Sequence, residues 1–141
     1  MFVFNYAVSK KEIVDIIKST AAAYQLPWQL ILAIAWQESL LDPNAEGDDG
    51  TSIGVMQMSL PTAEWLVGQP VSVEQLKNPV LNIDLGTRYV RHQMDRYDDD
   101  IYKAVAAYNA GTYREKTDGV AFNDLYARRV MNVYNALLAL G

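Results

Sequence analysis

Glu38 is the residue in this sequence best placed to do chemistry. It lies four residues after Ile34 and seven after Ile31 in the run PWQLILAIAWQES, so helical geometry puts its carboxyl on the stripe of those apolar side chains. Burial disfavours the charged form of a carboxyl, and the negative end of a helix dipole adds to that, so a raised pKa is expected. A carboxylic acid that holds its proton near neutral pH can protonate a leaving group. The competing reading is a solvated glutamate at a fraying helix end, or one paired with a surface arginine.

Composition narrows the other routes to chemistry. The 141 residues contain no cysteine, which removes thiolate nucleophiles, disulfides and thiolate–zinc sites. The one histidine, His92, falls in a helical stretch beside Arg91 and reads as part of a solvated helix face, so histidine-based triads and zinc sites are not expected. Asp98, Asp99 and Asp100 precede an apolar helical pattern and read as a helix N-terminus rather than a metal site. No metal or cofactor is therefore expected. A net charge of −5 argues against a nucleic-acid partner, because phosphate binding needs a basic surface. No apolar run is long enough to span a membrane.

The elements that must position Glu38 follow from periodicity. Half of the residues are hydrophobic and the chain is long enough for one cored domain, 1–141, expected to be monomeric. The leading MFVFNYAV is apolar but lacks a basic leading region and a clear cleavage site, so residues 1–8 are expected to form a packed arm rather than a signal peptide. Ser9 with Glu12 forms a capping-box pattern, and Ile13, Ile16 and Ile17 give a first helix to about Tyr24. Pro27 opens the second helix, apolar nearly all round and so expected to be the buried centre of the fold. Asp42 to Gly54 is rich in Asp, Gly, Asn and Pro, the signature of a loop, and a loop this long tends to be functional.

Beyond it, Ser59 starts a short helix through Leu66, Ser72 with Gln75 a single turn, and Asn78-Pro79 a longer helix ending near Tyr97 with Leu81, Leu85, Tyr89 and Gln93 on one stripe. Asp100 caps the next helix, stopped by Gly111, and a loop from Thr112 to Val120 leads to a last helix from about Phe122 with Tyr126, Val130, Val133, Tyr134 and Leu137 inward. No strand pattern competes, so the fold class is all-α, with about six to eight helices.

Several short motifs then carry a resemblance. Glu38-Ser39, Asn44-Ala45, Gly54-Val55-Met56-Gln57, Pro61-Thr62-Ala63, Asn78-Pro79 with Asn82-Ile83 and Gly86, and Ala107-Tyr108-Asn109-Ala110-Gly111 fall in the order seen in soluble lytic transglycosylases. The chain resembles that family, glycoside hydrolase family 23 of the lysozyme-like superfamily, from about Ala21 to its C-terminus. The resemblance implies a lysozyme-like domain with a saccharide groove, acting on peptidoglycan strands. Family members cleave the β-1,4 bond between N-acetylmuramic acid and N-acetylglucosamine with one Glu, matched here by Glu38. That Glu protonates the glycosidic oxygen and then serves as base towards the muramic acid C6 hydroxyl, which closes a 1,6-anhydro ring without water. Ordinary glycosidases need two carboxylates; one suffices where the substrate supplies its own nucleophile.

Matched positions extend the implied site. Ser39, Met56, Gln57, Tyr108 and Asn109 fall where the family binds sugar, although Met56 and Tyr108 also read as core residues and Asn109 as a helix cap. Tyr126 is preferred over Tyr134 as the late tyrosine whose hydroxyl orients the catalytic carboxylate. The chain also departs from the pattern. Where a serine commonly follows the Glu by nine residues, this sequence has Gly47, with Ser52 as a potential substitute. The run Gly47-Asp48-Asp49-Gly50-Thr51-Ser52-Ile53-Gly54-Val55-Met56-Gln57 is also similar to the loop of goose-type lysozymes, in which an aspartate, here matched by Asp48, helps position the attacking water. In the aspartate's other reading it is a turn residue of a Gly-rich loop.

The expected function is a peptidoglycan lytic transglycosylase using Glu38. The alternatives are a hydrolytic muramidase using Glu38 with Asp48, and a non-catalytic glycan-binding module. Such a substrate lies in the periplasm or outside the cell, and with no export signal read in the sequence a phage-encoded, virion-carried or excised domain is expected.

Overall fold

The computed structural model describes residues 7–141, and among them the chain forms seven α-helices and one small sheet. Helix α1 (Lys10–Ala23) starts where the Ser9 side chain accepts the Glu12 N–H, and it buries Ile13, Ile17 and Ala21. Helix α2 (Trp28–Ser39) follows at once, with Leu30, Ile31, Ala33, Ile34 and Ala35 buried. Full burial of Leu30, Ile31 and Ile34 contributes about 1.5–3 kcal/mol per side chain. The opposite face of α2 is not enclosed, because Trp36 keeps 41% of its surface exposed. The expectation of a helix buried all round is corrected to a helix buried on one face.

The centre belongs to a later helix. α3 (Leu60–Val67) is capped by Ser59, and α4 (Val73–Lys77) by a reciprocal capping box between Ser72 and Gln75. Asn78 then caps α5 (Pro79–Arg96) by accepting the N–H groups of Val80 and Leu81. After Asp100, which accepts the Lys103 N–H, come α6 (Ile101–Ala110) and finally α7 (Asp124–Ala139). α5 packs against α1, α3, α4 and α6, while α2 lies between α1 and α7. The inward stripe of α5 includes Asn82, Thr87 and Gln93, all buried polar side chains. Of the expected stripe, Leu85 and Gln93 are buried whereas Leu81 and Tyr89 are half-buried.

Two further corrections concern the loops. The segment after α2 carries a three-stranded antiparallel sheet, β1 (Glu46–Gly47), β2 (Ser52–Ile53) and β3 (Met58–Ser59), in the order β1-β2-β3. Strands of two residues are too short to show alternation, which is why the sequence hides them. The last helix begins at Asp124, not Phe122, because residues 114–122 turn back on themselves through a bridge between Glu115 and Ala121, leaving Phe122 66% exposed.

The expected N-terminal arm falls mostly on residues 1–6, outside the described residues; of its remainder, Val8 packs against the core. Among the described residues no helix is long and apolar enough to cross a membrane. The aspartate run behaves as a helix start, with Asp100 the cap and Asp99 paired with Arg91 at 3.0 Å.

Candidate active site

α2 carries Glu38 to its last turn, where the core meets solvent. The helix ends as Leu40 enters the left-handed region at φ 56 and returns its N–H to the Trp36 carbonyl. Beside Glu38, Ser39 donates its hydroxyl to the Val55 carbonyl at 2.6 Å and accepts the Asp42 N–H at 3.1 Å. Ser39 thus ties the end of α2 to the loop that faces it, and its hydroxyl is engaged within the protein.

The carboxyl of Glu38 is part-buried and accepts the Tyr126 hydroxyl on Oε2 at 2.6 Å. Tyr126 is held there because its neighbours on α7, Ala127 and Val130, are fully buried where α7 packs on α2. Burial pushes the Glu38 carboxyl up to about 7; the Tyr126 hydroxyl opposes that shift, and the nearby Asp48 charge adds to it. Burial and the Glu38 charge together raise the Tyr126 hydroxyl well above its ordinary range, so it remains a donor at any working pH.

Asp48 stands at the tip of the β1–β2 hairpin, exposed, with φ 52. Its Oδ2 accepts the Ser52 hydroxyl at 2.7 Å. The pairing Gly47 to Ser52 sets that hairpin, and Ser52 to Ser59 joins it to β3. Gln57 lies in the β2–β3 turn at φ 51, where its amide donates to the carbonyls of Ala45 and Gly54 at 3.2 and 3.0 Å. These bonds lock the turn from inside. Its carboxamide oxygen fills the space that a Cβ on Gly47 would take.

The floor of the loop is fixed by a residue absent from the sequence-derived site, Asn82. Fully buried on α5, it accepts the Met56 N–H at 2.8 Å and donates to the carbonyls of Ile53 and Leu76, each at 2.8 Å. Gly54 has φ 82, and a Cβ there would collide with the Asn82 amide, so both backbone and space require glycine. A polar residue interrupting an apolar helical stripe was the signal available in the sequence. Met56 is itself fully buried, its side chain against Gly86, so its side chain serves the core rather than a groove surface.

A cleft of about 260 Å³ opens beside this loop, walled by Ser52 and Gln57 of the loop, Thr62 of α3, Tyr89 of α5, and Tyr108, Asn109 and Gly111 at the end of α6. Tyr108 is nearly buried and donates its hydroxyl to the Met56 carbonyl at 2.6 Å. Burial, with the Glu38 charge adding to it, holds the Tyr108 hydroxyl well above its ordinary range. Asn109 is exposed and accepts the Asn123 amide at 2.8 Å, while that amide also reaches the Ala106 carbonyl. The fold therefore brings Ser52, Gln57, Tyr108 and Asn109 to one cleft, and Tyr126 and the field of Asp48 onto Glu38. Among the described residues no group of three or more histidine, aspartate or glutamate side chains converges as a metal site would. Glu38 itself is not among the residues that line the cleft; its charge acts on Tyr108, which does. The arrangement thus offers a carboxyl with a pKa of about 7 and a groove of hydroxyls, amides and aromatic rings linked to it through Tyr108.

Known proteins resemble this chain in sequence and in fold. Membrane-bound lytic murein transglycosylase F of Klebsiella pneumoniae is 36% identical over 70% of this chain, which spans 19% of that protein's length. The invasion protein IagB of Salmonella typhimurium is 30% identical over 81% of the chain and 71% of its own length. Among solved structures, an inactive glutamate-to-glutamine mutant of lytic transglycosylase Slt from Pseudomonas aeruginosa superposes with a TM-score of 0.73 at 25% identity, covering 89% of this chain and 24% of that one. The 70 kDa soluble lytic transglycosylase of Escherichia coli superposes with a TM-score of 0.62 at 26% identity, covering 86% of this chain and 18% of that one. The family profile described as the transglycosylase SLT domain matches residues 15–127; this all-α, lysozyme-like chain belongs to that family.

Proposed function

We propose that the chain is a peptidoglycan lytic transglycosylase in which Glu38 is both acid and base. The observation that carries the reading is the part-buried Glu38 carboxyl, raised to about 7 and oriented by the Tyr126 hydroxyl at 2.6 Å. Near neutral pH that group is poised between its two forms, as a residue that must first give and then take one proton requires. In the first step Glu38 donates its proton to the oxygen of the β-1,4 bond between N-acetylmuramic acid and N-acetylglucosamine. The C1–O bond breaks, and the acetamido group of the muramic acid supports the positive charge at C1. In the second step the Glu38 carboxylate takes the proton of the C6 hydroxyl while O6 bonds to C1, closing the 1,6-anhydro ring and restoring the acid. The names of the relatives support this substrate class, and a substrate of that kind places the site of action in the periplasm or outside the cell.

A second reading is favoured by one observation. The Asp48 carboxylate is held by Ser52, which lines the cleft, and its charge acts on Glu38. A second carboxylate across a sugar ring can direct water to the anomeric carbon, which would make the enzyme a muramidase. Mass spectrometry of products from purified peptidoglycan separates the two. Termini of 1,6-anhydro-muramic acid, lighter by one water, are expected; reducing muramic acid termini establish hydrolysis, and no soluble product from either wild type or Glu38→Gln leaves a glycan-binding module.

A further inference from the structure

Ring contacts continue past Tyr89, the cleft's wall on α5, to residues that do not themselves line the cleft. Thr62 and Trp65 are three residues apart on α3, and Tyr89 and His92 are three apart on α5, so each pair lies on one helix face, one turn from member to member. Thr62 and Tyr89 wall the cleft. Trp65 and His92 repeat that facing arrangement one turn further on, where α3 and α5 pack together, with ring centroids 5.0 Å apart at an interplanar angle of 72°. Tyr89 lies parallel to His92 within 12° at 6.1 Å and leans on Tyr108 at 5.4 Å. A continuous line of aromatic rings thus runs from Tyr108, whose hydroxyl is bonded to the Met56 carbonyl, out to Trp65.

Trp65 is 58% exposed, and its ring meets the His92 ring edge-on. An aromatic ring packed on one neighbour and otherwise open to solvent is a surface for a flat apolar partner. On α5 the flanks of His92 are the exposed Arg88 and Asp95, charged groups that suit neither a lipid surface nor an apolar protein face. A sugar ring fits both features, because it offers a face of C–H groups to an aromatic ring and a rim of hydroxyls to charged and imidazole neighbours.

We infer that Trp65 and His92 form a distal saccharide subsite, taking a further sugar of the glycan strand that occupies the cleft. The inference rests on reading that cleft as a glycan groove. Trp65 supplies the stacking face, His92 packs against its ring and offers a polar nitrogen, and the subsite acts on binding rather than on the bond that breaks. It favours long strands over short ones.

The test uses glycan strands stripped of their peptides and sorted by length, with wild type, Trp65→Ala and Trp65→Phe. Trp65→Ala is expected to lower the ratio of kcat/KM on long strands to that on short ones by about threefold to tenfold, carried by KM, as loss of one aromatic contact implies. Trp65→Phe should restore most of it. An unchanged ratio overturns the subsite, and so does a loss seen only when stem peptides are present, which would assign the patch to peptide. A titration of Glu38→Gln with the same strands, followed by the NMR signals of the Trp65 indole N–H and the His92 ring, reads binding without catalysis. Saturable shifts with long strands support the subsite even if wild type cleaves nothing, in which case the catalytic reading fails alone. Cleavage without such shifts overturns the subsite alone.

Discussion

Replacing Tyr126 by Phe removes one hydroxyl and nothing else from the contact with Glu38. The bond it deletes, 2.6 Å long, is worth about 1.5–3 kcal/mol to an ionised carboxylate and about 0.5–1.5 kcal/mol to the neutral acid. The difference, about 1–1.5 kcal/mol, corresponds to about one pKa unit. Since the bond pulls the Glu38 carboxyl down from where burial would put it, the variant should titrate about one unit higher. In the proposed reaction the protonated carboxyl acts first, so activity is expected to fall as pH rises through its pKa. The alkaline limb of the rate profile in Tyr126→Phe is therefore expected about one unit above that of wild type, with a lower maximum because the carboxyl has lost its orienting partner. Digestion of purified peptidoglycan across pH gives the profile, and a titration followed by carbon NMR on labelled glutamate gives the pKa without any activity. A limb that stays in place, or moves to lower pH, would refute the argument that this hydroxyl stabilises the charged form.

The remaining predictions test other parts of the site. Glu38→Gln should abolish cleavage while folding is preserved. The unfolded chain releases this proton near 4.5 and the folded one near 7, so the cost of ionising Glu38 is absent below pH 4.5, grows between those values and is complete above 7. The Gln variant should accordingly gain about 1–3 kcal/mol over wild type above neutral pH and little in acid, as read by urea unfolding at several pH values; parallel curves would count against burial. Asp48→Asn removes a charge that raises Glu38, so the alkaline limb should move to lower pH. Asn82→Ala strands the Met56 N–H and two carbonyls and should cost about 3–5 kcal/mol in chemical denaturation.

Much of this was legible because helices announce themselves locally. The caps at Ser9, Ser59, Ser72, Asn78 and Asp100 are short-range hydrogen bonds between residues two or three apart, so a linear reading finds them. Glu38 could be singled out for the same reason, since its stripe is a property of one helix. The sheet after α2 escaped because its strands are held by pairing between segments, not by a pattern within any of them. The role of Asn82 escaped because its three partners lie six to twenty-nine residues away in sequence. The sequence points to α2 as the centre because that helix is apolar nearly all round, whereas α5, with polar residues in its stripe, is the one that α1, α3, α4 and α6 pack around.

By itself the sequence determined the helical class, the helix starts and a carboxyl on an apolar stripe, because each follows from spacing within about four residues. Tertiary structure alone decided what that carboxyl is. Tyr126, eighty-eight residues away, reaches its Oε2, the Asp48 charge adds to burial in raising it, and the loop facing it is suspended from α5 by one buried amide. A pKa depends on the solvent excluded and the charges close in space, and neither exists until the chain has closed on itself.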